Sequence, residues 1–101
     1  MNLSESIAIK KASLDVKKAE ATYDTLRCVS NNYWTLYGIL ADYDPRSVDP
    51  DASYDESLNF INMLQEYRAL AVIKDMEKST ALGLLNKAKN YLLSLYEEQS
   101  R

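Results

Sequence analysis

The chain reads as all-α, an antiparallel helical hairpin of two long helices, on three observations. Apolar residues recur at alternating three- and four-residue steps along two arms of nearly equal length, a spacing that keeps them on one helical face. Breakers are scarce in both arms: of 101 residues two are Gly and two are Pro, and both Pro sit in the central segment Asp42 to Ser53. Asp and Ser fill much of that segment, and both residue types favour turns. Residues 1–101 are therefore expected to form a single helical domain.

The first helix is expected over about residues 4–41. Asn2 or Ser4 suits its N-cap, because a short oxygen-bearing side chain accepts from the unpaired amides of the first turn, and Glu5 suits the positive end of the helix dipole. Its seam is Ile9, Ala12, Val16, Ala19, Tyr23, Leu26, Ser30, Tyr33, Tyr37 and Leu40, interrupted only at Ser30. Ser30-Asn31-Asn32, three poor helix formers in succession, mark the place where a kink would fall.

An acidic, Pro-containing loop is expected over about residues 42–53, followed by a second helix over about 54–97. Ser53 or Asp55 serves as its cap, with Asp55 and Glu56 at the positive end. The second seam is Phe60, Leu64, Tyr67, Ala71, Lys74, Lys78, Ala81, Leu85, Ala88, Leu92 and Leu95. Two lysines interrupt it, while Ile73, Met76 and Thr80 supply a neighbouring stripe. Either the seam changes phase here, or the helix breaks near 75–80 and a third begins, giving a compact three- or four-helix monomer as the alternative fold.

Folding the arms back symmetrically about residue 48 sets Ala12 near Leu84 and Ala8 near Ala88. The open end is then rich in small residues, Gly83 among them, which permits close approach of the two backbones. Tyr33 to Leu40 is apolar around more than half the helix, Ala69 to Ile73 is apolar all round, and Ile7, Leu14, Ala21 and Cys28 form a second stripe on the back of the first arm. A lone pair of helices needs one apolar stripe on each. Two stripes imply a four-helix assembly, most simply a symmetric homodimer with the aromatic half at its centre.

No catalytic or cofactor-binding residue is assigned. The chain has no histidine, which removes the usual general base near neutral pH and the commonest transition-metal ligand. Cys28 lies within a helix, away from the N-terminal position that stabilises a thiolate. No metal site is assigned either: the acidic run from Asp49 places Tyr54 where a calcium loop requires Gly, and Phe60 where it requires a bidentate Glu. A single cysteine, no signal-like N-terminus and no run of eighteen apolar residues suggest a cytoplasmic protein with no membrane partner.

Two surfaces remain. Tyr33, Trp34, Tyr37, Phe60 and Leu64 are the candidate protein interface, with Tyr43, Tyr54, Tyr91 and Tyr96 as further contact residues, since Tyr and Trp are enriched in binding hot spots. Lys10, Lys11, Lys17 and Lys18, joined in the hairpin by Lys87 and Lys89, are the candidate anion-binding set. Opposite them stand six acids between Asp42 and Glu56, so the rod is polarised although the net charge is only −3. Lys11 and Asp15 have the spacing of an i,i+4 ion pair. The expectation is a non-enzymatic, self-associating interaction module, of the adaptor, chaperone, assembly-factor or small-inhibitor kind, that binds a protein partner. The alternative is an oligomeric binder of RNA or a phosphate-rich small ligand through the lysines.

Overall fold

The structure, a computed structural model, describes residues 2–43 and 50–100. It is an extended antiparallel hairpin of two helices, α1 (Leu3–Asp42) and α2 (Tyr54–Gln99). Its extents are 76 × 16 × 15 Å and its radius of gyration 22.6 Å, against about 13 Å for a compact chain of this length. Two packed rods, not a globule, set every surface considered below. The sequence expectation about residues 44–49 of the loop lies outside the described residues.

Both helices begin on a complete capping box. Asn2 Oδ1 accepts from the Glu5 amide at 2.8 Å and the Glu5 carboxylate accepts from the Asn2 amide at 3.2 Å. Ser53 and Glu56 repeat the arrangement at 3.2 and 3.3 Å. Each reciprocal pair satisfies amides that the helix leaves without a carbonyl. From these starts α1 runs unbroken through Ser30-Asn31-Asn32 and α2 unbroken through residues 75–80. The helix break behind the compact three- or four-helix alternative does not occur.

The seams are the ones the spacing predicts. Ile9, Ala12 and Ser30 of α1 and Ala71, Ala81 and Leu85 of α2 are buried, and most of the remaining seam positions are half-buried. Small residues dominate this list because two helices in contact enclose only the side chains directly between them. Larger residues at the seam keep part of their surface at its edges.

Register differs from a symmetric fold-back. Ser30 and Trp34 meet Asp75, and the ring of Tyr43 meets that of Phe60 at 5.7 Å. Relative to the symmetric arrangement α2 is displaced along α1 by seven to nine residues, a little over two helical turns. Ala12 therefore does not face Leu84, which is 59% exposed. The first turn of α2 projects past the end of α1 before pairing starts, leaving Tyr54 exposed.

Gly83 also departs from its expected role. A Cβ placed there meets nothing within 4 Å, and its φ is negative, so no close approach of backbones depends on it. Gly in a helix interior is costly relative to Ala because the unfolded chain loses more freedom. Gly83→Ala should stabilise the protein by about 0.5–1 kcal/mol, read as a higher midpoint in urea with unchanged slope; a lower midpoint would reveal a contact at this position.

Candidate interaction surfaces

The polar interruptions of the two seams meet. Ser30, fully buried, donates its hydroxyl to Asp75 Oδ1, and Trp34 Nε1 donates to Asp75 Oδ2 at 2.8 Å. Lys78 completes the cluster with an ion pair to Asp75 at 3.3 Å, and Lys74 pairs with Glu77 at 3.1 Å. These partners satisfy the part of the carboxylate that faces the seam, the rest being open to water. The hydrogen bond from Ser30, then that from Trp34, holds the Asp75 carboxyl below its ordinary pKa; Lys78 acts in the same direction, and partial desolvation opposes them.

This cluster divides the hairpin into two unlike flanks. On the side of Trp34 and Asp75, heptad steps lead to Glu20 and Arg27 on α1 and to Arg68, Leu82 and Lys89 on α2. The same steps also reach Ile61 and Tyr96, both exposed, so that flank mixes charged and apolar residues. On the other side Thr22, Leu26, Ile73, Met76, Thr80, Ala81 and Leu84, with Glu77 at the edge, line an open trough of about 500 Å³. A second recess on the same side is lined by Val29, Asn32, Tyr33, Leu36 and Tyr67. The trough is lined mainly by apolar side chains, with Ile73 48% and Met76 66% exposed, while Asp15, Glu66 and Lys87 lie farther along the same flank.

The candidate interface residues Tyr33, Trp34, Tyr37, Phe60 and Leu64 are all half-buried, in or beside the seam. Trp34 and Tyr37 pack edge to face at 5.9 Å, and Trp34 is engaged with Asp75. The more exposed apolar surface at this end comes from their neighbours Leu36, Ile39, Leu58, Ile61 and Met63. Tyr43, Tyr54, Tyr91 and Tyr96 are exposed, as are Ile7, Leu14, Ala21 and Cys28 on the back of α1. Sequence reasoning saw both polar interruptions but not that Ser30 and Asp75 pair. The one signal was Ser30 itself, a polar residue at a seam position; Asp75 lies beside the second seam, next to the interrupting Lys74.

Lys10, Lys11, Lys17, Lys18, Lys87 and Lys89 are all exposed. The observed register brings Lys87 and Lys89 back level with Lys18 and Val16, so all six occupy the open half of the rod. Among the described residues none of the six forms an ion pair; the expected Lys11 to Asp15 pair does not close within 4.0 Å. Among the described residues no group of three His, Cys, Asp or Glu side chains converges on a possible metal position, and no helix is long and apolar enough to cross a membrane. No known protein family matches the chain, and no curated protein or solved structure matches it.

A carboxyl whose pKa is lowered on folding adds stability above its unfolded value of about 3.9, lost as the pH falls from there through the lowered native value. Asp75→Asn should therefore lower the melting temperature near neutral pH. The gap to the parent protein should stay constant down to about pH 5 and narrow below about pH 4. Thermal melts across pH 2.5–7, followed by circular dichroism, measure this, and a gap independent of pH would remove the charge of Asp75 from the account.

Proposed function

We propose that this protein is a non-enzymatic, self-associating helical interaction module that binds a protein partner. One observation carries the reading: among the described residues eighteen large apolar side chains are exposed, from Leu3 to Tyr96, against five buried apolar residues. So large a share of exposed apolar side chains relative to buried ones is uncommon in a monomer and is a feature of protein interfaces. The aromatic end, with Tyr33, Trp34, Tyr37, Phe60 and Leu64 framed by Tyr43 and Tyr54, supplies the anchor types that dominate binding energies. Adaptor, chaperone, assembly-factor and small-inhibitor roles all use such a surface. The exposed, unpaired thiol of Cys28 suits a reducing, cytoplasmic setting.

Sedimentation equilibrium over a wide concentration range tests the proposal. The expected result is a mass above the 11.5 kDa of one chain that persists at high salt, because buried apolar area is insensitive to screening. A single-chain mass at every concentration would remove self-association.

A second reading rests on the six unpaired lysines of the open half, which present point charges suited to phosphate. It gives a different result. Binding to a single-stranded RNA oligomer, followed by fluorescence anisotropy, should weaken about tenfold or more between 50 and 200 mM salt and weaken again in Lys17→Gln/Lys18→Gln. Affinity indifferent to both changes would exclude the lysines as an RNA site.

A further inference from the structure

We infer that the apolar flank of the hairpin, the trough between Thr22 and Leu26 of α1 and Ile73, Thr80 and Leu84 of α2, seats a second copy of this chain. The copy docks antiparallel about a two-fold axis near Val29 and Glu77, forming a four-helix bundle. This deepens the self-association proposed above and rests on it.

The first argument is area. The chain exposes 7547 Å², whereas a compact monomer of its mass exposes about 5,800 Å². The excess is about 1,700 Å² per chain, within the roughly 1,000–2,500 Å² that each partner contributes to an obligate dimer. Covering one flank of a long hairpin with an identical hairpin removes surface on that scale.

Sidedness is the second argument. Over the middle of the rod Arg27 and Asp75 lie on the flank that carries Trp34, where a dry interface would strand their charges. The opposite flank carries Val29, Leu36, Leu70, Ile73 and Leu84 over the middle of the rod, with Glu77 paired to Lys74 at 3.1 Å and the charges Asp15, Lys18, Glu66 and Lys87 only toward its ends. A partner helix pair can bury this flank and leave the other one wet, which is how hairpins close into bundles.

Charge distribution chooses the direction. A two-fold axis level with Val29 and Glu77 sets Leu36 and Leu70 of one copy against Thr22 and Leu84 of the other. The same operation brings Lys10, Lys11, Lys17 and Lys18 level with the acidic end, where Asp42, Asp55 and Glu56 are exposed. A parallel dimer would instead pair lysines with lysines and acids with acids, which costs affinity at low salt. The polarised rod is thus self-complementary under a two-fold axis.

The experiment uses the full chain. Ile73→Glu/Leu84→Glu should raise the dimer dissociation constant by at least about a hundredfold, while Leu82→Glu/Leu93→Glu, at exposed apolar positions outside the trough, should change it by less than about threefold; circular dichroism checks that both stay helical. In a Cys28→Ser background, Glu77→Cys should yield a disulfide-linked dimer under mild oxidation and Met63→Cys should not. Four outcomes overturn the inference. Dimerisation unchanged by the trough substitutions but lost with Leu82→Glu/Leu93→Glu moves the interface and leaves self-association standing. Cross-linking through Met63→Cys, or none through Glu77→Cys, refutes the antiparallel axis alone. A parent chain that is monomeric throughout removes the inference together with the reading beneath it.

Discussion

The contact on which the rest of this hairpin depends is the one between Asp75 and the two donors Ser30 and Trp34. Apart from Lys74 and Lys78 the rest of the seam is largely apolar, and apolar contacts tolerate sliding by a heptad at modest cost. A carboxylate does not. Shifting α2 by seven residues in either direction sets Asp75 against the level of Tyr23 or Tyr37, and takes it away from the hydroxyl that α1 buries at Ser30. A single polar pairing that fixes the register of an otherwise permissive seam is a well-attested use of buried polar groups. Register in turn decides which apolar residues are left outside.

That choice has consequences at both ends. Displacing α2 by about two turns from the symmetric arrangement carries its first turn past α1 and keeps Tyr54 in solvent, extending the aromatic end. Toward the open half it aligns Lys87 with Lys18, so basic residues from both helices share one stretch of the rod. The chain is nearly balanced in charge, yet its ends are not. Long-range attraction between unlike ends acts on how two rods meet rather than on how one folds.

Cost and specificity meet in the middle of the molecule. Lysine at two seam positions of α2, with Ser at one of α1, gives up burial that leucine would supply, and Lys74 and Lys78 recover only i,i+3 ion pairs with Glu77 and Asp75, whose exposed kind contributes at most about 1 kcal/mol each. What the arrangement gains is a defined alignment. The lysines' aliphatic stems still cover the neighbouring seam while their charged ends reach water, which explains how they occupy core positions without breaking the helix.

The sequence by itself determined the two helical arms and the faces that meet, because these follow from local periodicity, and it narrowed each cap to two short polar candidates, Asn2 or Ser4 and Ser53 or Asp55; the choice between them and the continuity through residues 75–80 came from the structure. It did not determine the register. The loop residues place the turn but not the way its length is divided between the two arms, and a repeat of apolar residues is satisfied by several alignments. Only the tertiary structure could decide that Asp75 reaches Ser30 and Trp34, that Gly83 faces open space, and that the apolar trough opens on the flank opposite that pairing. Those are properties of two helices placed against each other, and a one-dimensional pattern carries no relative rotation or offset between its parts.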